Sequence, residues 1–213
     1  MSRKLPVYLL LDVSGSMSGE PIEAVKTGMQ TLAAALRKDP YALESAYISV
    51  ITFASDVQQV VPLTEVAQFQ PPEIRAGGGT SLGGVLAYVT ECAEREVRKS
   101  TPDQKGDWKP LVFLMTDGYP TDTVDPGLNK FKAHKWGVVV SCAAGDQCDE
   151  ALLGRISENV VKLATADQNT IAAFFKWVSA SIGVSSERID AGAGDTNMDQ
   201  LPPPPPEITL IKP

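Results

Sequence analysis

Short, almost unbroken apolar runs alternate with stripes of helical spacing along most of the chain. Residues 7–12, 46–54 (AYISVITFA), 111–115 (LVFLM), 137–143 (GVVVSCA) and 160–164 carry few polar side chains. Such runs read as strands covered on both faces, as in a mainly parallel sheet. Between the first two, Ile22, Val25, Met29, Leu32 and Leu36 fall three or four residues apart. This spacing predicts a helix over residues 21–37 with Pro21 in its first turn. Leu82, Leu86, Val89, Ala93 and Val97 mark a second stripe that reaches residue 99, and Ile171, Phe174, Phe175, Val178 and Ile182 mark a last one. Shorter helices are expected over 128–135 and 150–157. Residues 57–62 follow the run 46–54 too closely for a crossover helix, so they should form an antiparallel edge strand ended by Pro62. Apolar strands alternating with amphipathic helices need helices on both faces of the sheet. Right-handed crossovers then favour a doubly wound α/β sheet.

The 213 residues suffice for one domain and a tail. Residues 1–186 read as that domain, and the composition changes after about Ser185. Residues 190–200 are rich in Gly, Asp and Asn, and 202–206 are five consecutive prolines. Residues 187–213 are therefore expected to be a flexible Pro-rich tail, extended and largely disordered, with a stiff polyproline II section. The exception is 207–212 (EITLIK), whose alternation could add a strand to an exposed sheet edge or fill a groove.

Charge and composition exclude several function classes. Nineteen basic and 26 acidic residues give a net charge of −7, which puts nucleic acid last among partners. The single histidine, His134, excludes multi-His zinc sites and weakens any Ser–His scheme. With Lys132 and Lys135 beside it, it reads as a solvated residue on a polar helix face. No run approaches the roughly 18 apolar residues of a membrane span, and 7–11, interrupted by Asp12, is too short for a signal core. Cys92, Cys142 and Cys148 are odd in number and form no C-x-x-C pair. Reduced thiols in a cytoplasmic protein are the expectation.

In an open doubly wound sheet the working site lies beyond the C-terminal ends of the strands. Three polar clusters fall there: Asp12-Val13-Ser14-Gly15-Ser16 after the first run, Thr80 in the loop GGGTSLGG, and Thr116-Asp117-Gly118 after the run 111–115. Asp12, Asp117, Ser14, Ser16 and Thr80 offer two carboxylates and three hydroxyls, without His or Cys. Oxygen-only donors point to a hard cation, Mg²⁺ first and Mn²⁺ second. Ca²⁺ is disfavoured because it prefers 6–8 oxygens with several direct carboxylates. Neutral hydroxyls leave such an ion electrophilic, open to one more anionic ligand from a partner. Taken singly, each residue also has a local role open to it: Ser14 or Ser16 in a turn, Asp117 in an Asx-turn, Thr80 as a helix cap.

These residues resemble the D-x-S-x-S, Thr and Asp positions of the von Willebrand factor type A (VWA) family, in the same order, over roughly residues 5–184. The resemblance implies a six-stranded doubly wound sheet with one antiparallel edge strand and a metal-ion-dependent adhesion site. In it Ser14, Ser16 and Thr80 would touch the ion directly, and Asp12 and Asp117 would act largely through water. Within the family, GGGTSLGG and TDGYPTD look like the bacterial tellurium-resistance (TerY-type) proteins. That likeness implies a cytoplasmic protein of chemical-stress resistance with a Ser/Thr kinase and a phosphatase as partners. The charge count adds a partner Asp or Glu completing the metal, and the expected role is a metal-dependent scaffold with no catalysis of its own. Met17, Tyr119, Pro120 and Thr121 are the expected rim.

Two other readings fit less well. A Mg²⁺-dependent phosphatase with Asp12 as nucleophile wants a second Asp two residues on, where this chain has Ser14. A receiver-like domain wants a paired acidic cluster at the first strand. GGGTSLGG lacks the Lys of a phosphate-binding loop.

Overall fold

The apolar runs meet in one sheet in a computed structural model that describes residues 3–211. In chain order the elements are β1 (Leu5–Asp12), a 3-10 turn (Gly15–Met17), α1 (Glu20–Leu36), α2 (Pro40–Ser45), β2 (Ala46–Phe53) and β3 (Val57–Glu65). There follow α3 (Leu82–Glu96), β4 (Leu111–Thr116), α4 (Asp125–Ala133), β5 (Val139–Ala144), α5 (Glu150–Ile156), β6 (Val160–Leu163), α6 (Gln168–Asp190), a second 3-10 turn (Met198–Gln200) and β7 (Ile208–Ile211). The strand order is β3-β2-β1-β4-β5-β6-β7. β2, β1, β4, β5 and β6 pair in parallel, and β3 and β7 run antiparallel at the two edges.

Alternation along β1 divides the core. Leu5, Val7, Leu9 and Leu11 face α1, α2 and α6, whereas Tyr8 and Leu10 face α3, α4 and α5. Each fully buried aliphatic side chain contributes about 1.5–3 kcal/mol. The five stripe residues of α1 and the five of α6 are buried as their spacing requires. Two glycines permit the closest helix approaches. A Cβ at Gly28 of α1 would lie 2.2 Å from the Phe175 ring of α6, and one at Gly127 of α4 would lie 1.9 Å from the Gly83 carbonyl oxygen of α3.

The structure departs from the sequence expectations in four places. The sheet has seven strands, not six, and a second antiparallel edge, because β7 pairs residue for residue with β6. Pro62 does not end β3. It lies at a register irregularity between the pairs Val50–Val61 and Ile48–Thr64, where an edge strand dispenses with its missing N–H. The short α2 was not anticipated: Asp39 caps it by accepting from the N–H groups of Tyr41 and Ala42, and Pro40 occupies its first turn.

The largest departure is the expected free tail. α6 continues to Asp190, Leu201 and Ile208 are buried, and the Trp177 indole N–H donates to the Pro202 carbonyl at 2.8 Å. The prolines therefore lie as a strap against α6, and the alternating segment does add a strand to the sheet edge. Removing residues 201–213 should uncover these contacts at a cost of about 3 kcal/mol or more. At this chain length that is a fall in melting temperature of roughly 6–12 °C, to be read by calorimetry on the truncated and full chains.

Candidate metal centre

β1 and β4 lie side by side, yet their chains leave toward opposite halves of the sheet: β1 through α1 to β2, β4 through α4 to β5. The reversal opens a crevice at their C-terminal ends. Asp12, the last residue of β1, is 1% exposed. Its Oδ1 accepts from the Ser14 N–H at 2.8 Å and its Oδ2 from the Thr116 hydroxyl of β4 at 2.5 Å. The Ser14 hydroxyl lies 3.0 Å from that of Ser16, which donates to Asp117 Oδ1 at 2.7 Å. Four of the five expected residues thus form one continuous cluster across both strand ends.

Thr80 reaches the same crevice from the loop before α3. The Gly15 N–H donates to the Gly78 carbonyl at 2.9 Å and the Gly77 N–H to the Val13 carbonyl at 2.8 Å, lacing the glycine loop to the D-x-S-x-S turn. Gly78 has φ +82, a conformation that suits glycine. The Thr80 N–H donates to the Thr121 hydroxyl at 2.9 Å, and the Thr121 N–H returns a bond to the Thr80 carbonyl at 2.9 Å. Thr80 is buried and pinned through its backbone. Its hydroxyl stays outside the Ser–Ser–Asp chain.

Burial is the main cause that raises the Asp12 carboxyl above its ordinary pKa, against the hydrogen bonds from Ser14 and Thr116. Burial raises Asp117 as well, helped by the charge of Asp12 and opposed by the Ser16 bond. Among the described residues no three His, Cys, Asp or Glu side chains cluster as a metal group. The donor set here is hydroxyl oxygens flanked by two carboxylates, which fits a hard cation with few direct charges. Cys148 lies close behind, its thiol donating to the Thr116 carbonyl at 3.0 Å, and burial pushes its pKa up to about 12. Cys92, Cys142 and Cys148 are all free thiols.

The rim differs in part from expectation. Tyr119 is 60% exposed beside Asp117 and Thr121 is exposed, but Met17 is wholly buried, because the 3-10 turn folds its side chain into the core under α1. His134 is half-buried at the C-terminal end of α4, not solvated on the helix face, with its ring 4.3 Å from that of Trp136. Two residues that build the crevice take roles that the sequence reading does not assign, although Thr116 stands in one of its three polar clusters and Asp122 closes the run TDGYPTD. Thr116, directly before Asp117, clamps Asp12. Asp122 serves as a cap for α3 from a neighbouring loop, accepting from Ser81 Oγ at 3.0 Å and from the N–H groups of Gly83 and Gly84 at 3.1 and 2.8 Å.

The profile of the von Willebrand factor type A domain matches residues 7–175, and the chain belongs to that family. Mouse matrilin-4 is 31% identical to it over 125 residues, which cover 56% of this chain and 20% of that protein. Among solved structures, proximal thread matrix protein 1 of the mussel byssus superposes with a TM-score of 0.62 at 21% identity, covering 84% of this chain and 48% of that one. One form of that protein, at 19% identity and TM-score 0.62, over 84% and 48% of the two chains, is described with a zinc-occupied MIDAS motif. A von Willebrand factor type A protein from Catenulispora acidiphila superposes with a TM-score of 0.62 at 16% identity, over 86% and 43% of the two chains. The chain thus spans under half the length of these relatives. No helix among the described residues is long and apolar enough to cross a membrane.

The trans cap can be tested directly. Asp122→Ala should destabilise the fold by about 1–2 kcal/mol, the loss of a helix cap, measured by urea unfolding.

Proposed function

We propose that this chain is a metal-dependent protein-interaction module in which Ser14, Ser16 and Thr80 hold a divalent cation and Asp12 and Asp117 support it. The observation that carries the reading is the unbroken chain Ser14–Ser16–Asp117 across two neighbouring strand ends, with Asp12 fixed behind it. Mg²⁺ is the preferred ion and Mn²⁺ a close substitute. The zinc-occupied motif described for the mussel protein supports a divalent ion at this place. When bound, the ion supplies an electrophilic position for one external anionic oxygen. A partner Asp or Glu suits that position, because the direct protein donors are neutral. Exposed Tyr119 and Thr121 form the adjoining contact surface.

A binding role is preferred to catalysis at Asp12. Both of its carboxylate oxygens already accept hydrogen bonds, and the carboxylate is closed off from solvent. A phosphatase nucleophile needs a free oxygen facing its substrate. The position two residues on is Ser14, whose hydroxyl faces Ser16 and cannot replace a general acid.

The finer assignment rests on the motif likeness to tellurium-resistance proteins. On that reading the protein is a cytoplasmic scaffold that brings stress-response enzymes together, with a Ser/Thr kinase and a phosphatase as candidate partners. Two measurements test the proposal. Mn²⁺ binding, followed by electron paramagnetic resonance, should weaken by about 100-fold in a double Asp12→Ala, Ser16→Ala variant that keeps its circular dichroism. Capture of the kinase or phosphatase should need Mg²⁺, and should fall on Thr80→Ala, on Asp117→Ala and on a single Glu→Gln in the partner. Equal capture in EDTA would sink the metal-dependent mechanism.

A further inference from the structure

A second concave site lies at the other end of the sheet, where α3 and α4 finish and β4 begins. It encloses about 550 Å³, within the range of small-molecule sites. α3 starts two residues after Thr80 and has 15 residues, so this cavity lies about 22 Å from the metal centre. Its walls combine apolar surface, from Val97, Trp108 and Pro110, with an unusual concentration of cations for a chain of net charge −7. Arg98, Lys99, Lys109 and Lys135 line it against two carboxylates, Glu94 and Asp107.

The carboxylates are unequal: Glu94 is exposed and forms no salt bridge among the described residues, whereas Asp107 is engaged. Asp107 is consumed locally: it accepts from the N–H groups of Lys4 and Arg98 at 3.0 and 2.9 Å, and from the Arg98 guanidinium at 3.2 Å. Lys109 is paired at 3.0 Å with Asp195, outside the lining. Lys99 and Lys135 form no salt bridge among the described residues, and both are exposed. Among the described residues the Nε of Arg98 is buried without a hydrogen-bond partner, while the same guanidinium holds Asp107 through Nη2. A ligand that takes the Nε donor therefore displaces no bond at that nitrogen. The negative ends of the α3 and α4 dipoles account for lysines placed here. They do not account for the concavity, its tryptophan wall or the unpartnered guanidinium nitrogen.

We infer that this cavity is a binding site for a soluble organic phosphate of nucleotide size. Arg98, Lys99 and Lys135 would take the phosphate oxygens, and Val97, Trp108 and Pro110 would cover the organic body. Guanidinium and ammonium donors together match the charge and oxygen number of a phosphate group. The site is separate from the metal centre and does not depend on how that centre works.

Calorimetric titration of the full chain with ADP in EDTA tests the inference with the metal end silenced. Saturable binding with a Kd below about 1 mM is expected, unchanged by Thr80→Ala and weakened at least about tenfold by the double substitution Lys99→Glu, Lys135→Glu. Both lysines are exposed, so that variant should fold, and an unchanged melting temperature verifies it. Arg98→Lys, which keeps the charge and removes the Nε donor, should also weaken binding. Four results would overturn the inference: no heat up to millimolar ADP, equal affinity in the double lysine variant, equal affinity for adenosine, or binding to phosphatidate vesicles with none to ADP.

Discussion

Asp12 and its two donors hold the working end of the molecule together. A carboxylate 1% exposed is costly unless its oxygens are satisfied. Here one oxygen takes the Ser14 N–H and the other the Thr116 hydroxyl. Hydrogen bonds to a charged group are worth about 1.5–3 kcal/mol each. Their larger effect is geometric: one bond shapes the turn after β1, and the other fastens that turn to β4. The serines follow from that turn, with Ser14 against Ser16 and Ser16 against Asp117. Without the clamp, the Ser16–Asp117 bond would be left as the side-chain link between the two strand ends.

The same economy organises the third loop. Thr80 is positioned through main-chain bonds to Thr121 and through the lacing of Gly77 and Gly78 to the β1 turn. Asp122 continues the line by capping α3 in place of a residue of that helix's own approach. The TDGYPTD run therefore does two jobs within seven residues. Asp117 faces the crevice, while Thr121 and Asp122 fix the loop that brings in Thr80. The same close approach calls for glycine at two positions: a Cβ at Gly79, before α3, would lie 2.6 Å from the Thr121 hydroxyl, and one at Gly83, in the first turn of α3, would lie 2.5 Å from the Thr123 carbonyl oxygen.

How much of this was legible in the sequence depends on the range of the interaction. The buried strands and the stripes of α1, α3 and α6 were readable because two-sided burial and helical spacing are properties of contiguous residues. The five candidate residues stand out in the sequence because each falls at a strand end or just before a helix, and four of them meet in one hydrogen-bonded cluster. Thr116 and Asp122 were not: each acts on a residue dozens of positions away, and no local spacing marks them. Met17 was misplaced for a related reason. Its neighbours Gly15, Ser16 and Ser18 suggest a wet loop, but a single 3-10 turn points it into the core. Residues 190–200 hold little apolar surface beyond Met198, which packs against the core, and the expectation of a free tail leaves out the buried Leu201; the strand around Ile208 is the exception that the alternation of 207–212 marks. Five prolines have little conformational freedom to lose. A few contacts and one Trp177 hydrogen bond therefore hold a segment that a Gly/Ser chain of equal length would leave loose.

The proposed scaffold role asks for two surfaces that can be occupied at once, and the two candidate sites lie apart. The C-terminal strand ends carry hydroxyls and two carboxylates, the proposed place for a cation. The N-terminal ends carry the lysines and the arginine of the α3–α4 cavity. α3 joins the two, beginning beside Thr80 and ending at the cavity wall. An occupant at one end does not screen the other across about 22 Å, more than twice the Debye length at physiological salt. The doubly wound sheet thus places carboxylates and hydroxyls at one end and lysines with an arginine at the other, and the two proposals assign an anion to each end through different chemistry: through a cation at the strand tips, and through the chain's own side chains at the strand bases.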